Sequence, residues 1–396
     1  MANVPEHWQT VPFPDVVYFQ EGPGIRNWQY RDAGIPFVNI RCLVDGRLVR
    51  SAMNCLDPDE VDKKYRHFLL DEDDYVVSSS GTIGRLAEVR REDLPCMLNT
   101  SVIRMRPLSD ELDRRYLRYF LTSSHFQDQI VAFASGSVQV NYGPSHLKQM
   151  WIAFPPMPEQ RAIAEVLGAL DDKIEANRRA QDNAESLARA ELALAQQEEA
   201  EFDVPIGRLV ERIAHIVQPT DLDESTVYVG LEHMPRGSML LKERGRANGL
   251  ASAKAAFRPK DVLFGKLRPY FKKVVVAPST GVCSTDILVL RPLLGDWAVA
   301  TAVCASDDVI EYASAGSEGT RMPRVSWEYL ARYEVPLPGP QGRQRLEARI
   351  APLLEFGVGL TVESDSLIDL RDALLPNLMS GELRVRDAEH LIEDAV

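Results

Sequence analysis

At 396 residues, 45% hydrophobic and 26% charged, the chain has room for two ordinary domains and their connections. It contains no run of eighteen apolar residues, which excludes a transmembrane helix, and its start, MANVPEHWQT, lacks the basic and apolar stretches of a secretory signal, so the expected location is the cytoplasm. The net charge of −13 is concentrated as −6 in 159–202 and −5 in 341–396, while 1–158 and 203–340 carry −3 and +1, so the two larger blocks are open to an anionic partner.

In chain order, Gly22-Pro23-Gly24 reads as a turn, and IPFVNIRC (35–42), YVVSS (75–79) and SVIRMRP (101–107) have strand composition. Asp71-Glu72-Asp73-Asp74 reads as a solvated acidic turn before the second of these. Asp110 or Asp113 caps a helix through RRYLRYFL, and Ser145 caps a short helix before the strand WIAF. The prolines of 155–158 close this block. From Gln160 to about Glu199 a helix is predicted, with Ile163, Leu167, Leu170 and Ile174 on the 4-3 spacing of a coiled-coil seam that weakens to Asn177, Gln181 and Ala184. DVLF (261–264), KVVVA (273–277) and DILVL (286–290) are strands again, and Ser326 caps a short helix before YEVP. A second long helix carries Leu346, Ile350, Leu353, Gly357, Leu360, Ser364, Leu367, Arg371 and Leu374 in one register and stops at Gly381.

The order of these elements repeats. Val11-Pro12-Phe13 matches Val204-Pro205-Ile206, NTSVIRMRP (99–107) matches STDILVLRP (284–292), and 145–160 aligns without a gap to 326–341, at offsets of 193, 185 and 181. The expected fold is therefore α+β with a pseudo-two-fold internal repeat. It has two mixed domains, 1–158 and 203–340, separated by two long antiparallel helices, 159–202 and 341–380, and followed by a tail at 381–396. Forty helical residues span about 60 Å, so the expected shape is a rod with a domain near each end.

Motifs for chemistry are missing. Phe154-Pro155-Pro156-Met157 lacks the flanks of an amine-methylating Asn/Asp-Pro-Pro-aromatic loop, and Gly265-Lys266 lacks the leading glycine and hydroxyl of a phosphate loop. The five cysteines, at 42, 55, 96, 283 and 304, form no CxxC, and the seven histidines form no HxxxH, so disulfides, zinc and catalysis are all poorly supported.

PPMPEQRAIAEVLGALDDKIEANRR (155–179) resembles the central conserved region of type I restriction–modification specificity subunits, and LRDALLPNLMSGELRV (370–385) resembles their distal conserved region. The domain–helix–domain–helix order fits as well, so the resemblance covers nearly the whole chain; PGPQGRQRLEARI (338–350) departs from the first copy's Glu-Gln-Arg form and leaves the start of the second helix open. The resemblance implies two target recognition domains, each reading half of a split DNA site, with the helices fixing the gap. It implies no catalysis by this chain. Modification subunits would bind S-adenosylmethionine and methylate adenine, and restriction subunits using ATP and magnesium would join them. Two other readings stay open: a coiled-coil protein-binding adaptor, and an enzyme with an unrecognised site.

Binding a duplex requires cations near phosphates and polar side chains at base edges. Lys266, Arg268, Lys272 and Lys273 interleave with Tyr270 and Phe271, and at least two of the four cations are expected on phosphate; a solvated hairpin is the alternative. The matching run in the first copy offers Ser79, Ser80, Thr82 and Arg85. Between Ser135-Gly136-Ser137 and Ala315-Gly316-Ser317 and the capping serines, the copies differ in chemistry. Ser137, Gln139, Asn141 and Tyr142 stand against Arg321 and Arg324, suiting adenine and guanine edges respectively, with loop drift as the alternative. Arg26 and Asn27, beside Trp28, form a third candidate or a plain surface loop.

Overall fold

A computed structural model of the chain describes residues 4–44, 46–134, 141–293, 295–319 and 321–395. It divides into two compact units, Met1–Asp172 with Ile368–Val396, and Lys173–Leu367. Each unit holds one mixed domain and a share of both long helices.

In the first unit, β1 (Val17–Glu21), β2 (Tyr75–Ser78), β3 (Leu86–Glu88) and β4 (Val102–Pro107) form an antiparallel sheet in the order β1-β4-β2-β3. Every residue of β2 is buried, as the near-continuous apolar run YVVS requires. The predicted strand at 35–42 ends at Val38, because Asn39 turns the chain into a 3-10 turn at Ile40–Cys42 by accepting from the Arg41 N–H. Asp113 caps α1 (Arg114–Thr122): its Oδ1 accepts from the Arg115 and Tyr116 amides at 2.8 and 3.0 Å. α2 (Ser124–Ala134) follows, and Phe13 packs between Phe120 and Phe126 with ring centroids 6.0 Å apart in each case. Ser145 is not a cap. The short helix Pro144–Leu147 starts at Pro144, whose fixed φ suits the first helical position, and Gly143 precedes it.

The first long helix, α3, runs Met157–Glu198 and begins three residues before the predicted Gln160. Gln160 is fully buried and ties the helix to its domain: its Oε1 accepts from the Asp113 amide, and its Nε2 donates to the Glu111 and Pro155 carbonyls.

The second unit repeats the sheet. β5 (Val210–Ile213), β6 (Val262–Gly265), β7 (Val274–Val276) and β8 (Ile287–Pro292) take the order β5-β8-β6-β7. α4 (Trp297–Cys304) and α5 (Asp307–Ala315) pack beneath, and Ser326 caps its short helix as expected. The copies differ in a further sheet: three strands (Ile35–Val38, Asn54–Leu56, Met97–Leu98) in the first unit and five in the second. α6 runs Pro340–Ser380, so the altered motif at 338–350 does not delay its start, and Gly381 ends it at φ +74, where a side chain would be strained. The segment read as a tail contains α7 (Val385–Ala395).

Both copies also share a buried ion pair. Asp74 accepts from the Asp71 amide at 2.9 Å and from Arg104 of β4 at 3.3 Å; Asp261 accepts from the Arg258 amide at 2.8 Å and from Arg291 of β8 at 2.9 and 2.8 Å. The residue before each aspartate, Asp73 and Lys260, is left-handed at φ +72 and +68. The acidic turn is thus not simply solvated. Asp74 is buried, and burial raises its carboxyl above the ordinary range despite Arg104 and Arg106 nearby.

In the second unit the long helices run antiparallel. Lys173 pairs with Glu363 at 3.1 Å, Gln181 donates to the Gly357 carbonyl and Thr361 Oγ1 at 3.1 and 2.8 Å, and Arg349 pairs with Glu191 and Glu199, so partner numbers fall on one helix as they rise on the other. The first unit keeps this order with Asp171 and Arg371 at 3.0 Å. The seam does not weaken at Asn177 and Gln181. Both are buried, and Asn177 Nδ2 donates to Glu363 and Ser364. On α6 the predicted Leu346, Ile350, Gly357, Ser364, Leu367 and Leu374 are buried, but Leu354 and Thr361 are buried where Leu353 and Leu360 were expected and are only half-buried. The spacing Leu346-Ile350-Leu354-Gly357-Thr361 departs locally from a strict heptad, and the predicted register resumes at Ser364, Leu367 and Leu374.

Candidate nucleic-acid interface

The two copies present one hairpin each at matching places. In the first unit it leaves the end of β2: the Ser78 amide donates to the Arg85 carbonyl at 2.9 Å and the Ser79 amide to the Ser101 carbonyl at 3.0 Å. The Tyr142 amide closes the set by donating to the Ser79 carbonyl at 3.1 Å. In the second unit the Gly265 amide donates to the Lys273 carbonyl at 2.8 Å, the Lys266 amide to the Asp286 carbonyl at 3.0 Å, and the Val325 amide to the Lys266 carbonyl at 3.1 Å. These are the same three bonds in the same order. In both units they bring together two stretches that are far apart in sequence: the hairpin and the loop before the short helix.

In the second unit the hairpin run and residues 318–319 and 321–324 interlock. The Arg268 amide donates to the Pro323 carbonyl at 2.8 Å, and Arg268 Nη2 donates to the Arg321 carbonyl at 3.1 Å. The Glu318 and Arg324 amides and carbonyls bond reciprocally at 3.0 and 2.9 Å. Arg324 Nε pairs with Asp286 at 2.9 Å, which holds its guanidinium protonated even more firmly than usual. Lys272 Nζ pairs with Asp307, in the first turn of α5, at 2.7 Å, and that contact pulls the Asp307 carboxyl below its ordinary range. Lys273 Nζ donates to the Leu231 carbonyl; burial, together with Arg236 nearby, lowers its pKa. Tyr270 and Met322 stand about half exposed, and Arg321 is exposed. Lys266 is half-buried.

Arg236 was not singled out from the sequence. Its guanidinium lies 4.1 Å from the Phe271 ring centroid, adding a cation to this face. The Arg-Gly dipeptide at 236–237 carries no sequence signal for that position.

The first unit's candidates separate. Thr82, Arg85 and Asn141 are exposed and Ser80 is half-buried. Ser79 and Tyr142 are buried and offer no side chain to a ligand, contrary to expectation. Tyr142 packs edge-on against Phe126, and burial pushes its hydroxyl far above its usual pKa. Ser137 and Gln139 lie outside the described residues. Arg26 and Asn27 are exposed on another rigid 3-10 turn, whose buried Gln29 bonds to Glu60, Tyr65 and the Arg26 amide. Among the described residues no cluster of His, Cys, Asp or Glu is placed to hold a metal, and no helix is long and apolar enough to cross a membrane.

Residues 5–185 match the family model described as type I restriction modification DNA specificity domain. The MjaVIII specificity subunit of Methanocaldococcus jannaschii is 25% identical over 189 residues, 47% of this chain and 44% of that protein. The MjaIX specificity subunit of the same organism is 21% identical, over 98% of this chain and 96% of its own length. Among solved structures, the S subunit from M. genitalium superposes with a TM-score of 0.54 at 17% identity, covering 95% of this chain and 96% of that one.

Proposed function

We propose that this chain, whose residues 5–185 match the specificity-domain family and which aligns with the MjaIX subunit over 98% of its length, is a type I restriction–modification specificity subunit that selects a bipartite DNA target and leaves the chemistry to partner subunits. One observation carries the reading. The three bonds that seat the hairpin are the same in both units, yet the side chains displayed there differ, Thr82, Arg85 and Asn141 against Tyr270 and Arg321. A constant frame with a changed polar face is what reading two different half-sites needs. Residues 1–158 and 203–340 would be the two recognition domains, and the antiparallel α3 and α6 would set the gap between half-sites.

Methylation of adenine, with S-adenosylmethionine, would belong to modification subunits docked on this chain. ATP- and magnesium-dependent cleavage would belong to restriction subunits. The test is to co-express the chain with its modification subunits and sequence the methylated DNA. A split motif is expected. Exchanging residues 203–340 for the matching domain of a relative should change one half of it only, and adding one heptad to both α3 and α6 should lengthen the gap with both halves intact. An absence of salt-sensitive DNA binding by the co-expressed complex sinks the reading.

A further inference from the structure

The two hairpins differ most sharply where their backbone is left-handed. In the first unit these positions are Gly81 and Gly84, at φ +67 and +77, as steric rules favour. In the second unit the corresponding positions are Arg268 and Lys272, at φ +52 and +54. A side chain in that region costs on the order of 1–2 kcal/mol per residue. The second unit therefore holds two long cations where glycine is easier, and both are used to tie the loop down. Arg268 grips the Arg321 carbonyl, and Lys272 grips Asp307.

The cations of this face fall into two sorts. Lys272, Lys273 and Arg324 are each engaged by a carboxylate or a carbonyl. Arg321 is the opposite case. Its backbone is fixed from both sides, by Arg268 and by the reciprocal Glu318–Arg324 bonds, while its guanidinium is exposed and, among the described residues, has no protein partner. A phosphate contact tolerates a loosely placed side chain, but reading a base edge needs a fixed Cα with a free planar donor set.

We infer that Arg321 reads a guanine edge in the half-site bound by the second unit, and that Arg268 is the positioning residue that aims it. This rests on the DNA reading above. The expected contact is bidentate, from the guanidinium to guanine O6 and N7.

The test uses the full chain in complex with its modification subunits, with methylated DNA sequenced for each variant. Arg321→Ala should relax one base pair of one half-site, lowering discrimination there roughly ten- to a hundredfold. Arg321→Lys should keep the salt slope of binding and still lose that discrimination, because an ammonium lacks the fork. Arg268→Gly, which restores the other copy's residue, should unfold at or above the wild-type temperature and yet relax the same base pair. An unchanged motif for Arg321→Ala, a uniform loss of affinity across all sequences, or full rescue by lysine overturns the guanine assignment. A wild-type motif for Arg268→Gly overturns the positioning role. A wild-type complex that methylates no split motif refutes the DNA reading itself, and this inference with it.

Discussion

The hairpins at 78–85 and 265–273 share a frame and differ in what they spend on it. The first turns on two glycines and shows a small polar face; the second turns on an arginine and a lysine and shows a stiff cationic one. The buried ion pairs beneath them make the same point from below. Asp74 and Asp261 are both buried, but Arg104 is buried with its aspartate while the Arg291 side chain is 29% exposed. A repeated fold thus keeps its backbone bonds and varies how much charge it encloses and how much it displays.

Removing the aspartates tests this contrast most severely. Asp74→Ala leaves the buried Arg104 with Asp71, at 3.8 Å, as its remaining acid partner and should cost about 3 kcal/mol in urea unfolding of the full chain. Asp261→Ala leaves a guanidinium that can turn to water, and should cost about 1–3 kcal/mol. Equal costs would show that the two pairs are energetically the same despite their burial.

The anchors of the long helices give the next test. Gln160→Ala removes three hydrogen bonds at a buried site and should cost about 2 kcal/mol. Glu347 plays a related part in the second unit, accepting from the Ala298 and Val299 amides at the start of α4, but as a carboxyl that burial raises above its ordinary 4.5. A folded pKa above the unfolded one means that this group's stabilisation is complete below about pH 4.5 and declines as pH rises through the raised value. Glu347→Gln should therefore gain stability relative to wild type between pH 4 and pH 7, while Gln160→Glu should lose it; thermal unfolding across that range decides.

Swapping the left-handed residues should give effects of opposite sign. Gly84→Ala should cost about 1 kcal/mol, and Arg268→Gly should cost nothing or stabilise by a few tenths. The smallest expected effect is on salt dependence. With Lys272 on Asp307 and Lys273 turned to the Leu231 carbonyl, replacing both by Ala should flatten the slope of log affinity by less than the roughly 1.8 expected from two phosphate contacts. A full flattening would show that both cations leave their protein partners for DNA.

The repeat, both long helices, the glycine stop and the strand at the core of each domain were legible because hydrophobic period and punctuation are local signals. The seam's register was legible through Asn177, Gln181 and Ala184, all buried, but the polarity of the first two read as weakness, since only their partners across the helix pair explain their burial. Asp74 looked solvated for the same reason: its partner, Arg104, is thirty residues away on another strand. Of the candidate interface, residue types were legible but availability was not. Tyr142 and Ser79 are buried by packing and by the hairpin frame, and Lys272 and Arg324 are claimed by acids that no spacing rule connects to them.

The buried amides and hydroxyls between the long helices also restrict how the protein can change over generations. Leucines forgive a slipped neighbour, whereas among the described residues Gln181 finds its acceptors at Gly357 and Thr361, and Asn177 at Glu363 and Ser364. A turn added to one helix alone would orphan these groups, at about 1–3 kcal/mol for each one left buried without a partner. A change in the length of one helix is then best accommodated by a matching change in the other, so that drift in helix length proceeds by rare double steps rather than single ones.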